Sequence, residues 1–350
     1  MLVRLGLAAL SGLLTFAAFP GVGAWPVAFV AWVPLLLALA GTTARRGALL
    51  GLVAGLFAAA PGFSFLYPTL RAESGMGPLG CALVVLAVAL YHSLRGALLG
   101  GVAQAWAREP APPSLSFVAG LAASELAVPS LFPWFFGASV HDLPLLLQPA
   151  ELFGPVAVSV TLALSSVAVA ETIWALREGR KTRPRVVILA IGIPIVAAFW
   201  GSVRMPQIDA EGRAAPSMTV GVVQPNLGRG GEIEIIERHR EATRALASKG
   251  AELVVWPEGA LPWTVPASLA SETFAMLRMP EGVAVLTGAI VRGDGPRASN
   301  SALLFDGGRL AGRYDKHRLL PFSETLPLEG TFPGCAICRR IQAISSRDRA

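Results

Sequence analysis

Apolar residues fill most of the first 203 positions in long runs, separated by short polar or Pro/Gly-rich joints. Seven runs stand out: 3–19, 23–40, 47–66, 78–103, 115–136, 153–176 and 186–203. Most reach the ~20 residues that a helix needs to cross the hydrocarbon core of a bilayer. The first two are slightly short, and Pro129 and Pro133 interrupt the fifth. The pattern predicts a membrane domain of about seven transmembrane helices over residues 1–203, with six and eight as the bounds. The first run also has the charge, apolar stretch and small residues of a signal peptide, but the runs directly behind it favour a first span.

Beyond residues 204–216, which read as a linker, the period shortens. "SMTVGVVQPN" (217–226) is a β-rich run closed by a turn. "GEIEIIERHREATRALASKG" (231–250) carries Ile233, Ile236, Thr243 and Leu246 on helical spacing and ends in glycine, which predicts an amphipathic helix. "AELVVWPEG" predicts a strand, 266–279 a second helix and 282–291 a third strand. "SNSALLFDGGRLAGRYDK" predicts a hairpin turning at Gly307 and Gly308. Alternating β and α elements make residues 217–350 a layered α/β domain with a mostly buried sheet.

Composition agrees with this division. The 350 residues are 53% hydrophobic and 15% charged, with a mean hydropathy of +0.58, outside the balance of an ordinary soluble domain. Residues 1–203 hold 11 Lys+Arg and 7 Asp+Glu, against 18 and 16 in the remaining 147. A net charge of +6 invites a nucleic-acid reading, but no basic cluster interleaved with aromatics appears in the polar half, so nucleic acid is not an expected partner. With the N-terminus inside, Arg4, Arg45, Arg46, Arg108 and the run "LREGRKTRPR" all fall on the inner side. The outer loops then hold only Arg71 and the border residue Arg204, a strong positive-inside bias. An odd number of spans puts the polar half outside the cytoplasm.

Sites in α/β sheets gather where strands end. Glu258 follows "LVVWP" at such a position, Lys316 follows "LAGRY", and Glu324 lies eight residues beyond the lysine. Taken alone, an ion pair at a sheet rim explains a Glu and a Lys just as simply. The histidines, His92, His141, His239 and His317, show no metal-ligand spacing. Cys81 sits inside an apolar run as a small core residue. Cys335 and Cys338 form a C-x-x-C pair with no second pair beside it, which leaves two incidental thiols, a disulfide or a zinc site as its readings.

"VVWPEG", "YDKHRLLPFSE" and "VGVVQPN" resemble the nitrilase superfamily, whose catalytic set is Glu, Lys and Cys. Joined to a multi-span N-terminal region, the pattern is similar to the apolipoprotein N-acyltransferase family. "FPGVGAWPVAFVAWVPLLLAL" (19–39), "GFSFLYPTL" (62–70) and the stretch 124–154 resemble that family's N-terminal segments. The resemblance implies an α-helical membrane domain followed by an αββα-sandwich nitrilase-like domain. It also implies transfer of a fatty acyl group from a phospholipid to the α-amine of the lipid-modified N-terminal cysteine of apolipoproteins, through a thioester and without a cofactor. Glu258 would be the general base, in a shielded place. Lys316 would stabilise the oxyanion, and Glu324 would support both. The phospholipid donor, the diacylglyceryl-modified apolipoproteins and the membrane would be the partners, and the bacterial inner membrane the location.

One part of the catalytic set is not identified. In the family the nucleophilic cysteine follows a further strand and precedes an aromatic residue and a Glu, whereas Arg339 and Arg340 follow Cys338 here. Asn300 matches a polar family position but is equally a turn former. Family members continue for well over a hundred residues past this point, so the expectation is a C-terminally truncated nitrilase-like domain that keeps base and lysine and lacks most of the catalytic rate. A membrane-tethered amidase and a non-catalytic membrane protein are the competing readings.

Overall fold

A computed structural model describes residues 1–107, 112–132, 134–225, 231–269, 282–293, 298–307 and 309–319. The chain forms two compact units, Met1–Ala214 and Ala215–Ala350.

The first unit is helical. Its described helices are α1 (Leu2–Ala18), α2 (Val33–Leu39), α3 (Ala44–Gly62), α4 (Leu66–Glu73), α5 (Pro78–Ala105), α6 (Leu115–Ala127), α7 (Pro144–Leu147), α8 (Ala150–Phe153), α9 (Pro155–Arg177) and α10 (Pro184–Ala214). Among the described residues, α5, α9 and α10 are long and apolar enough to cross a membrane, and α3 with α4 adds a fourth candidate bent by 48°. The shorter apolar helices are α1, the broken stretch Trp25–Leu39 and α6. These occupy the first, second and fifth apolar runs, the ones that are short or interrupted by proline. Pro26 and Pro34 each sit in the first turn of a helical segment, where the absent N–H costs nothing, and so divide the second run into a 3-10 turn (Trp25–Phe29) and α2. The stretch 204–216, read as a linker, is helical as far as Ala214, and Arg204 there is paired with Glu151 and Glu211.

Breaking a buried helix frees carbonyl groups that need donors. Ser11 Oγ donates to Ala31 O at 2.6 Å, Ser166 Oγ to Phe29 O at 3.0 Å and Gln104 Nε2 to Leu39 O at 2.9 Å. Packing of α3 on α5 depends on glycine. A Cβ on Gly51 would lie 1.9 Å from Gly96 O, and one on Gly96 would lie 2.1 Å from Gly51 O. Backbones brought this close by small residues are the usual way that apolar helices associate where no hydrophobic effect separates them from lipid. At the far end of α9 the Glu171 carboxylate is fully buried, and it accepts from Arg183 N, Arg183 Nη2 and Arg180 Nη1 at 2.8, 2.6 and 3.1 Å. The basic loop after α9 is thereby fastened down.

Among its described residues the second unit holds α11 (Glu232–Ala247) and six strands: β1 (Val220–Val222), β2 (Leu253–Val255), β3 (Thr264–Pro266), β4 (Ala284–Arg292), β5 (Ala298–Asp306) and β6 (Arg309–Asp315). They form one mixed sheet in the order β1-β2-β4-β5-β6, parallel from β1 to β4 and antiparallel from β4 to β6. Positions along β4 and β5 alternate between buried and half-buried, as expected of strands with one face on a core. That core contains Val254, Val285, Ala289, Val291, Leu303 and Phe305. The predicted hairpin forms at Gly307, whose φ of 54° is the left-handed conformation that favours glycine. On α11 the buried stripe is Ile236, His239 and Thr243, whereas Ile233, expected on that face, is exposed because it belongs to the first turn. Of the helix predicted for 266–279, a 3-10 turn at Ala267–Leu269 is seen, and residues 270–281 lie outside the described residues.

Candidate active site

The loop that carries Glu258 is an excursion within a single strand position. β2 pairs with residues 284–286 of β4 and β3 with residues 290–292 of the same edge, both in parallel. Between them, residues 256–263 pass over only the three β4 residues 287–289, so the chain must arch outward. Two hydrogen bonds fix the base of the arch, Trp256 N to Leu286 O at 2.8 Å and Leu261 N to Gly288 O at 3.3 Å. Gly259 turns the chain with φ 66°. Gly288 gives the arch room, since a Cβ there would stand 2.7 Å from Glu258 Cα and from Gly259 N. An isolated glycine within a strand commonly marks such a close approach of another backbone.

Trp256 anchors the arch from the other side. Its indole Nε1 donates to Thr243 Oγ1 at 2.9 Å, and its ring lies against His239, tilted by 42° with centroids 4.6 Å apart. Burial pushes the His239 proton affinity down.

Glu258 meets its partners across β5. Lys316 Nζ lies 3.2 Å from Glu258 Oε1, and Asn300 Nδ2 donates to the same oxygen. Lys316 is brought there by the sheet: its backbone N–H donates to Asn300 O at 2.9 Å, extending the β5–β6 ladder by one residue. The preceding residue locks the register, because Asp315 sits opposite Ser301 and accepts from its hydroxyl at 2.6 Å. Arg313 and Ser301 together hold the Asp315 carboxyl below the usual carboxylate range. A carboxylate with one oxygen held by an ammonium and an amide presents its second oxygen for proton transfer, and the ammonium is a ready cation for an oxyanion.

Of the residues picked out in the sequence, the structure brings together Glu258 and Lys316. Glu324, Cys335 and Cys338 lie outside the described residues. The shielded setting expected for the base is not what the described residues provide: the Glu258 side chain is 67% exposed and that of Lys316 36%. Asn300 is a β5 residue bonded to the acid, not a turn former. Trp256 and Gly288 escaped sequence reasoning, and only the glycine inside "VLTGAIV" carried a signal for it. His317 lies against Tyr314, with ring centroids 5.4 Å apart. Cys81 is buried on α5.

Residues 11–168 match the family described as apolipoprotein N-acyltransferase N-terminal domain, and residues 219–334 match the carbon-nitrogen hydrolase family. The chain is similar to a Geobacter metallireducens protein named apolipoprotein N-acyltransferase, 28% identical over 346 residues, covering 93% of this chain and 66% of that protein. Proteins of the same name from Rhizobium meliloti (31% identical, 57% of this chain, 39% of the relative) and Synechocystis (37% identical, 33% and 23%) are also similar. The chain thus spans about 66% of the length of the Geobacter relative. Its apolar helices and bacterial relatives are those of an inner-membrane protein. The chain thus joins a match to the apolipoprotein N-acyltransferase N-terminal domain family to a match to the carbon-nitrogen hydrolase family, and is similar along 93% of its length to a protein named apolipoprotein N-acyltransferase.

Proposed function

We propose that the chain supplies the base and the oxyanion cation for acyl transfer from a phospholipid to the N-terminal amine of diacylglyceryl-modified apolipoproteins. The observation that carries this reading is the convergence of Glu258, Lys316 and Asn300 on one carboxylate oxygen in a domain attached to apolar helices. In the first step a cysteine thiol gives its proton to Glu258 and attacks the ester carbonyl. The C–O bond breaks, the thioester forms, and the proton passes to the departing alkoxide to give a lysophospholipid. In the second step the apolipoprotein amine attacks the thioester, Glu258 takes the amine proton, and the thiolate leaves and is reprotonated. Lys316 balances the oxyanion in both tetrahedral intermediates. Glu324 steadies Lys316 and Glu258. The nucleophilic thiol is assigned to no described residue.

About seven spans over residues 1–203 with the N-terminus inside would bring residues 217–350 to the extracytoplasmic face, a topology supported by the scarcity of basic residues in the loops of that side. Both substrates are lipid-anchored, so a domain at the bilayer surface meets them without drawing an acyl chain into water.

The test uses cells depleted of their own N-acyltransferase. A chimera joins residues 1–319 of this chain to the remainder of the Geobacter relative, and lipoprotein N-termini are read by mass spectrometry. Triacylated N-termini that disappear with Glu258→Gln are expected; diacylated N-termini from a chimera that inserts normally would overturn the reading. Expressing the unmodified chain with Cys335→Ala and Cys338→Ala then reports whether either thiol serves as nucleophile.

A further inference from the structure

Inside the first unit a cavity opens between α1, α3, α5, α6 and the segment leading to Phe136. Its apolar wall includes Ala54, Ala58, Leu99, Leu121 and Phe136. Its polar lining includes His92, Arg95, Ser124, Glu125, Trp32 and Trp134. Most of these polar groups already have protein partners. Arg95 donates to the carbonyls of Val128 and Trp134, at 3.1 and 3.0 Å. His92 Nδ1 is 3.0 Å from Val88 O. Glu125 Oε1 accepts from Phe136 N at 2.8 Å and Ser159 Oγ at 3.0 Å.

Three buried atoms on the lining have no hydrogen-bond partner among the described residues: Glu125 Oε2, Trp32 Nε1 and Trp134 Nε1. Glu125 and Trp32 are each only 8% exposed. Leaving a buried carboxylate oxygen and two indole N–H groups unpaired is costly, so the cavity is built for an occupant that serves both kinds. The carboxylate requires a donor and the indoles require an acceptor. A primary ammonium offers no acceptor, and a phosphate offers no donor and is repelled by Glu125. Arg95 lines the same cavity and offsets the Glu125 charge, so no net charge is called for. A hydroxyl group satisfies all of these demands, and the alkyl and aromatic wall suits a hydrocarbon body.

We propose that this cavity binds the free hydroxyl of a lipid alcohol, with Glu125 Oε2 accepting from it and Trp32 or Trp134 donating to it. The inference stands on the geometry of the first unit and does not rest on the acyl-transfer reading. The hydroxyl has two sources in a membrane, a neutral acylglycerol or a lysophospholipid.

The test is native mass spectrometry of the full chain in detergent, with three probes: 1-monooleoylglycerol, its di-O-methyl ether, and 1-oleoyl lysophosphatidylethanolamine. Monooleoylglycerol is expected to be retained roughly tenfold better than the ether, the size of effect that one or two buried hydrogen bonds give. Trp32→Phe and Trp134→Phe keep the ring and remove the donor; at least one of them is expected to lower retention of the alcohol roughly three- to tenfold, whereas the ether, whose oxygens still accept but which offers Glu125 Oε2 no proton, isolates the carboxylate contact. Two variants are used so that misfolding of one leaves the other to report, and each is checked by its elution and melting profile. Better retention of the lysophospholipid than of monooleoylglycerol assigns the hydroxyl to the phospholipid pool, and the reverse assigns it to neutral lipid. Equal retention of alcohol and ether, or variants that both bind like the unmodified chain, would mean that the cavity holds water alone and would overturn the proposal.

Discussion

Gly288 lies directly beneath Glu258: a Cβ at position 288 would stand 2.7 Å from the Glu258 Cα and 2.8 Å from the Pro257 carbonyl oxygen. Those are backbone atoms, so no side chain can swing aside to admit the methyl group. Gly288→Ala is therefore expected to lift the arch away from β4, withdraw Glu258 Oε1 from Lys316 and cost about 1–3 kcal/mol of stability. In the chimera described above, triacylation should fall by about 100-fold, since a 1 Å misplacement of a catalytic group is enough for that. Ordinary triacylation by Gly288→Ala would show that the close approach does not position the acid.

Lys316 and Glu258 form an ion pair that is more exposed than buried, with side chains 36% and 67% accessible. Pairs in such surroundings contribute only about 0–1 kcal/mol to stability. Lys316→Met should accordingly leave the melting temperature of the chain within a few degrees, while reducing acyl transfer in the chimera by about 100- to 1000-fold through loss of oxyanion stabilisation. Asn300→Ala should fall between the two, because it removes one neutral donor from the same oxygen. A Lys316→Met chain that unfolds instead would assign the lysine to structure.

Much of this arrangement is legible in the sequence, and its limits are physical. Strand ends announce themselves through apolar runs closed by Pro, Gly or Asp, which is how Glu258 and Lys316 are found. The hairpin that carries Lys316 back beside Asn300 is signalled by Gly307 and Gly308. What the pattern does not carry is pairing partner and register. That β2 and β3 share one edge of β4, and that residues 256–263 must therefore arch, depends on contacts between segments some thirty residues apart. Trp256 reads as one more apolar residue in "LVVWP", although its indole N–H is spoken for by Thr243. Glu125, a lone acid in an apolar run, is the converse case: hydropathy cannot tell which of its oxygens is satisfied.

His239 gives the second unit a pH response whose sign is fixed by its burial. The ring is 3% exposed, and desolvation lowers its pKa from the ordinary 6.5. Below that ordinary value the unfolded chain binds a proton that the folded chain refuses, so unfolded chains gain and stability falls as the pH drops from 6.5 toward the depressed folded value. At higher pH both states are neutral and the contribution is flat. His239→Phe, which keeps a ring against Trp256, should flatten the fall in melting temperature between about pH 6.5 and pH 5 relative to the unmodified chain. Identical slopes for the two chains would place the titration elsewhere.

Gly51 and Gly96 offer a reciprocal test of the first unit. Each would put a Cβ within about 2 Å of the other's carbonyl oxygen, 1.9 Å from Gly51 and 2.1 Å from Gly96, so both helices have to move apart to accept a single methyl group. Lipid supplies no hydrophobic penalty for separation, and close van der Waals packing is the main force lost. Gly51→Ala is expected to destabilise the chain in detergent by about 1–3 kcal/mol, and Gly51→Leu by more. Gly192 on α10 is the internal control, since a Cβ there meets nothing within 4 Å. Gly192→Ala should be neutral or stabilising by up to about 1 kcal/mol, because alanine is the better helix former. The double variant Gly51→Ala with Gly96→Ala separates local crowding from a rigid interface. If the first substitution has already parted the helices, the second costs less than it does alone, and the two effects sum to less than their separate values. Strict additivity, measured by detergent unfolding of all three variants, would mean that α3 and α5 accommodate each methyl group locally and remain in contact.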